Sequence, residues 1–138
     1  MRVFHIAAAA DWDAARRAGA YTTSSRGVTL AREGFIHASR ADQVAGVYAR
    51  YYADATEPLV LLEIDTDLLG VPWREDPVGD DTYPHIYGPL APSAVVAATP
   101  FDPVVVRGVL DRFLAGPDPA RAYALDTALT LLCAVAGR

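Results

Sequence analysis

Residues 57–65 read EPLVLLEID, and the almost continuous apolar run inside that stretch decides how the rest of the chain is organised. A strand with one wet face alternates apolar and polar side chains. A run without that alternation predicts a central strand covered on both faces. Its partners are sought on either side. Residues 2–7, RVFHIA, have a period of two, with Phe4 and Ile6 on one face and Val3, His5 and Ala7 on the other. SAVVAATPF at 93–101 predicts a final strand, and VPWRE at 71–75 an edge strand, since Pro72 lacks the N–H that a central ladder position needs. GFIHAS at 34–39 predicts a short strand with Phe35, His37 and Ser39 on one side.

Helices are interleaved irregularly. Asp11 is the expected N-cap of the first, with Arg16 and Arg17 in its last turn and Gly19 as its left-handed cap. SRADQVAGVYARYY at 39–52 carries Val44, Val47, Tyr48 and Tyr51 as an apolar stripe. Two further helices open on Asp-Pro, where Asp caps and Pro takes the first helical position. One, at 102–116, offers Val105, Val109 and Phe113. The other, at 118–137, carries Ala122, Leu125, Leu129, Leu132 and Ala136. That last stripe suits either the domain's own core or a homodimer interface. AYTTSSRGVT at 20–29 and DPVGDDTYP at 76–84 are loops by composition. The order of elements predicts an α+β fold in a single domain, 1–138, with a core over 2–101 and a helical extension over 102–138.

Composition narrows the function classes. At 138 residues, 52% hydrophobic and 21% charged, the chain is expected to be one soluble globular domain. A net charge of −5 argues against nonspecific binding to nucleic acid or to anionic membranes. All 12 basic residues are arginine, which excludes lysine nucleophiles and Schiff bases. The single cysteine, Cys133, sits in an apolar helical pattern and reads as a buried hydrophobe; no disulfide framework is available. The start of the chain lacks a signal-peptide pattern, and no run reaches the roughly 20 apolar residues of a membrane span. The expected location is cytoplasmic.

Candidate chemistry centres on three histidines, His5, His37 and His85, each set among isoleucines, aromatics and prolines. One such histidine is ordinarily a hydrogen-bonded core residue. Three of them suggest a shared site, because each imidazole can donate, accept or titrate near neutral pH. Ser39 opens a Ser-x-x-Asp capping-box pattern and lies two residues from His37 on the same strand face, roughly 6–7 Å away. In YPHIYGPL, 83–90, Pro84 and the Gly88-Pro89 pair stiffen the presentation of His85 and Tyr87. Glu75, at a strand end after Trp73 and Arg74, is the best carboxylate candidate. Zinc held by three histidines and Glu75 is an alternative, although no H-x-x-x-H spacing occurs. HAS at 37–39 is the only H-x-[ST] where a two-histidine phosphoesterase needs two. There is no G-x-S-x-G, no P-loop and no G-x-G-x-x-G.

Taken in order, FHIAAAADWDAARRAGAYT, GFIHASRADQVAGVYARYY, LVLLEID and YPHIYGPLAPSAVV resemble the bacterial family called domain of unknown function 952, over about residues 2–99. The family's fold is similar to that of the ADP-ribosyltransferase superfamily, a split two-sheet α+β core that clamps NAD. The resemblance implies that His5 holds the nicotinamide ribose and that Ser39 matches the serine or tyrosine of the second motif. It makes Glu75 the acidic residue that polarises a ribose hydroxyl. His37 then orients ribose and phosphate, while His85 and Tyr87 close the pocket. The chain departs from the family in an apparent TSSRG insertion, in Thr29-Leu30 where Ser-Leu is usual, and in its C-terminal helices, and around Glu75 it has no Q-x-E motif of the ADP-ribosyltransferase kind. The implied function is binding of NAD, ADP-ribose or a related phosphorylated nucleotide. His5, Ser39 and Tyr87 are its contacts, and His37, Glu75 and His85 its reactive groups. Any reaction would be ADP-ribosyl transfer or N-glycosidic cleavage, with no metal expected. A three-histidine metal-dependent hydrolase and a non-catalytic interaction module with the C-terminal helix as its surface are the alternatives.

Overall fold

In the computed structural model, which describes residues 1–114, the run at 59–65 pairs on both sides. The elements are β1 (Arg2–Ala8), α1 (Ala9–Ala18), β2 (Thr23–Ser25), β3 (Val28–Thr29), α2 (Leu30–Glu33), β4 (Ile36–His37), α3 (Val44–Tyr51), β5 (Leu59–Asp65), β6 (Trp73–Val78), β7 (Asp81–Ile86), β8 (Val95–Pro100) and α4 (Pro103–Asp111). One antiparallel sheet has the order β1-β5-β8, and a second the order β4-β7-β6. The architecture is α+β, as expected. The expected helix at 118–137, its stripe and Cys133 lie outside the described residues.

β5 is covered on both faces. Leu61 joins Phe4, Ile6, Val44, Tyr48 and Leu110 in one apolar cluster. Leu62 and Ile64 join Val3, Ala7, Trp12, Ile36, Ile86 and Leu90 in another. The parity expected for β1 holds, with Phe4 and Ile6 on one side and Val3 and Ala7 on the other. Each fully buried leucine here contributes about 2 kcal/mol by leaving water. The two sheets meet where Phe4 and Ser39 exchange backbone hydrogen bonds of 2.7 Å each way.

Several expectations are corrected. The first helix begins at Ala9, so Asp11 lies in its first turn, favourable to the helix dipole, and Ala8 is the N-cap. The segment 20–29 contains the β2–β3 hairpin, turning at Gly27 with φ of 74°. Its polar groups are satisfied by pairing rather than exposure; the buried Ser24 hydroxyl donates to the Phe35 carbonyl. The four-residue α2 was not foreseen. Thr29 caps it, its Oγ1 accepting from the Arg32 N–H at 3.2 Å. Ser39 does not act as a cap. The Gln43 side chain accepts from the Arg40 N–H instead, at 2.9 Å. In α3 the position after the stripe, Tyr52, is buried and Tyr51 is exposed. In α4, Val106, Val109 and Leu110 face inward, while Val105 is exposed, as is Phe113 just after the helix.

The largest correction concerns 76–84. Most of it belongs to the β6–β7 hairpin, which turns at Gly79 and Asp80. β6 is an edge strand, as Pro72 suggested, and an edge tolerates Pro77 as well. Among the described residues no helix is long and apolar enough to cross a membrane.

Candidate functional site

The Phe4–Ser39 junction fixes where the histidines go. It brings β1 alongside the end of β4, so His5 meets the backbone of His37. The His37 carbonyl can only accept, so His5 Nδ1–H donates to it at 2.5 Å. The opposite nitrogen, Nε2, therefore accepts from the Tyr21 hydroxyl at 2.8 Å. Burial pushes the His5 imidazole down to about 4, which keeps it neutral. Burial likewise pushes the Tyr21 phenol up. His5 thus has both nitrogens engaged and is a structural brace at the cleft wall.

His37 and His85 are directly paired across the β4–β7 ladder. Their ring centroids lie 5.0 Å apart. Glu33 Oε1, at the end of α2, is 3.4 Å from His37 Nε2. Burial is the largest influence pulling His37 below its usual range; proximity to His85 adds to it and Glu33 opposes it. The Phe35 ring stacks on His85 with centroids 4.0 Å apart.

The carboxylate beside His85 is Asp76, not Glu75. The hairpin register places Arg74 opposite His85 and Asp76 opposite Tyr83, all on one face. From there Asp76 Oδ2 lies 2.8 Å from His85 Nδ1 and also accepts from the Tyr87 hydroxyl. Arg74 donates to the other oxygen at 2.8 Å and to the Tyr87 hydroxyl at 3.0 Å. The Tyr87 hydrogen bond is the largest influence holding Asp76 below the usual carboxylate range, helped by His85 and Arg74. Glu75, one residue away on the strand's other face, is held by Arg40 at 3.1 Å. Arg40 also reaches Asp81 and the Thr82 carbonyl.

A cleft of about 700 Å³ opens where the sheets meet, lined in part by His5, His37, Ser39, Arg26, Arg50 and Tyr83. Of the six candidate residues, His5, His37 and Ser39 line it. His85 and Tyr87 stand behind His37, and Glu75 is not on the wall. Arg26 is paired with Asp54 at 2.6 Å. Arg50 donates to the Tyr83 hydroxyl at 2.9 Å and has no carboxylate partner among the described residues. Sequence reading missed Arg50, Tyr83 and Asp76. Only Asp76 left a signal, its even spacing from Arg74 within a strand. Among the described residues no three His, Cys, Asp or Glu side chains gather as metal ligands would, so the three histidines with Glu75 do not form a metal centre.

A family model described as "Protein of unknown function (DUF952)" matches residues 6–98. The chain is similar to protein CC0527 from Caulobacter crescentus, whose crystal structure matches with 29% identity and a TM-score of 0.65, over 74% of this chain and 87% of that one. The solution structure of the same protein matches with 30% identity and a TM-score of 0.55, over 71% and 82%. No curated protein matches.

Proposed function

The chain belongs to the DUF952 family of proteins of unknown function, and from that premise we propose that its cleft binds a phosphorylated nucleotide, NAD or ADP-ribose being the forms we favour. Membership brings no activity with it, so the reading rests on the chemistry of the cleft. The observation that carries it is Arg50. A guanidinium held on a cleft wall by a neutral tyrosine hydroxyl, without a carboxylate partner among the described residues, keeps its charge for an incoming anion. Of the two aspartates that line the cleft, Asp80 and Asp81, Asp81 is already engaged by Arg40 and Gln43.

Further support comes from size and surface. The volume suits a ligand of nucleotide size. Tyr51 and Tyr83 on the wall offer flat faces for a base or a nicotinamide ring. His37 and Ser39 supply hydrogen-bonding groups beside them. The proposal includes the ADP-ribosyltransferase-like reading of the two sheets, supported by a cleft placed at their junction, and a cytoplasmic setting where such nucleotides are abundant. It is a binding function first. Glu75, the residue needed for oxocarbenium-like charge, is engaged by Arg40 off the cleft wall.

Calorimetric titration of NAD and ADP-ribose into the full chain tests this. Submillimolar binding that Arg50→Ala weakens at least about tenfold is the expected result, equivalent to the loss of one charge-assisted contact. No heat from either ligand at millimolar concentration overturns it.

A further inference from the structure

His85 is 3% exposed, and its Nε2 is buried with no hydrogen-bond partner. That is an expensive state for a polar atom in a protein interior. The other nitrogen explains which form the ring takes. Asp76 is a carboxylate kept charged by Tyr87, His85 and Arg74, and it can only accept, so Nδ1 carries the proton. In the neutral ring that tautomer leaves Nε2 with a lone pair. Four neighbours fix that orientation: Asp76 and Arg74 along the hairpin, Tyr87 beyond, and Phe35 stacked on the ring face at 4.0 Å. Phe35 covers one face of the ring, and Nε2 lies on its edge. The next ring is His37, 5.0 Å away, and His37 lines the cleft.

We propose that His85 Nε2 is a ligand site: an acceptor, set by Asp76, for a hydroxyl group brought into the cleft past His37. A ribose hydroxyl is the chemical class that fits, since it donates one hydrogen bond and carries no charge into a buried position. This rests on the phosphorylated-nucleotide reading, in which Arg50 takes the phosphate and His85 the sugar. An acceptor so placed is also a general base. Proton transfer breaks the ligand O–H bond and forms Nε2–H, leaves the electron pair on oxygen, and sets the imidazolium charge against Asp76. Protonation of His85 removes the lone pair and with it the site. The charged and titratable groups around the ring are Asp76, Arg74, Tyr87 and His37, with Glu33 acting through His37.

Long-range 1H–15N correlation of the histidine rings, recorded on the labelled full chain with and without ADP-ribose, tests the proposal. The expected result is an Nδ1–H tautomer for His85 at neutral pH, with an Nε2 resonance that moves when ADP-ribose binds. His85→Phe then weakens ADP-ribose about tenfold, the worth of one buried hydrogen bond. The wild-type resonance needs no variant, so a His85→Phe chain that fails to fold leaves the test intact. A proton on Nε2, or ADP-ribose binding with that resonance unmoved, overturns this proposal alone. Failure of ADP-ribose to bind at all overturns the nucleotide reading and this site with it.

Discussion

His37 and His85 face each other across the β4–β7 ladder with ring planes at 83° and centroids 5.0 Å apart. The contact ties the cleft to the network behind it. His37 reaches toward Glu33 on α2, and His85 toward Asp76 on β6, so each imidazole has its own carboxylate. Three strands, β4, β6 and β7, and the short helix α2 thus converge on one pair of rings. His5 braces the pair from β1 through the His37 carbonyl.

That brace makes the fold acid-sensitive. His5 ionises at about 4 in the folded protein and near 6.5 when unfolded, because burial disfavours its charged form. Between those values the unfolded chain binds the extra proton, so stability falls as pH drops through that window and is fully present above it. The full effect is on the order of 3 kcal/mol. His37, also pulled down, adds in the same direction. Urea midpoints measured from pH 7.5 to 4 are expected to fall steeply in the wild type. In His5→Gln the curve starts lower and is flatter, and an equally steep curve in that variant removes His5 from the account.

Arg40 holds the other side of the hairpin. Its guanidinium binds Glu75, Asp81 and the Thr82 carbonyl, and so ties the start of α3 to β6 and β7. Arg40→Ala is expected to cost about 1–2 kcal/mol in thermal or urea unfolding. Arg40→Lys recovers little of it, because an ammonium cannot span three acceptors as the planar fork does. Full recovery by lysine would reduce the interaction to simple charge.

Tyr87 reports on Asp76. The phenol is pushed up chiefly by its hydrogen bond to the Asp76 carboxylate, while Arg74 pulls the other way. Asp76→Asn removes the negative acceptor and leaves Arg74 in place, so Tyr87 should ionise at lower pH than in the wild type. Ultraviolet difference spectra through alkaline titration, with Tyr87→Phe to assign the transition, read the shift directly. An unmoved or upward transition contradicts the network.

How much of this was legible follows the physics of each segment. EPLVLLEID and RVFHIA carry their burial in the pattern itself, since the two faces of β1 and β5 meet different cores. The β6–β7 hairpin does not. Its prolines and acids look like a loop, and nothing local shows that Arg40, more than 30 residues earlier, neutralises them. Missing that hairpin hid its register, and register is where Glu75 and Asp76 part: one step along a strand turns a side chain to the opposite face. Arg50 was illegible for a different reason. It is a polar residue on the outer part of a helix, and only the fold brings Tyr83 to it.

The turn that ends YPHIYGPL supplies the last prediction. Gly88 adopts φ of 155°, and a Cβ there would lie 2.7 Å from Val71 Cγ1 and 2.9 Å from Val71 Cβ. The nearest atoms belong to a short branched side chain, which cannot swing its Cβ aside. Gly88→Ala must therefore push apart the segments before β6 and after β7, at a cost of about 1–3 kcal/mol for overpacking plus backbone strain. Since the clash has one partner, trimming that partner should recover part of the loss. Val71→Ala alone gives up apolar contact and costs a little, yet Gly88→Ala with Val71→Ala should be more stable than the sum of the two single changes implies. Because Tyr87 precedes Gly88, the strained single variant should also disturb the Tyr87–Asp76 hydrogen bond and lower the pH at which Tyr87 ionises. Strictly additive stabilities in the double-mutant cycle would mean that Gly88 is required for its backbone angles and not for the approach of Val71.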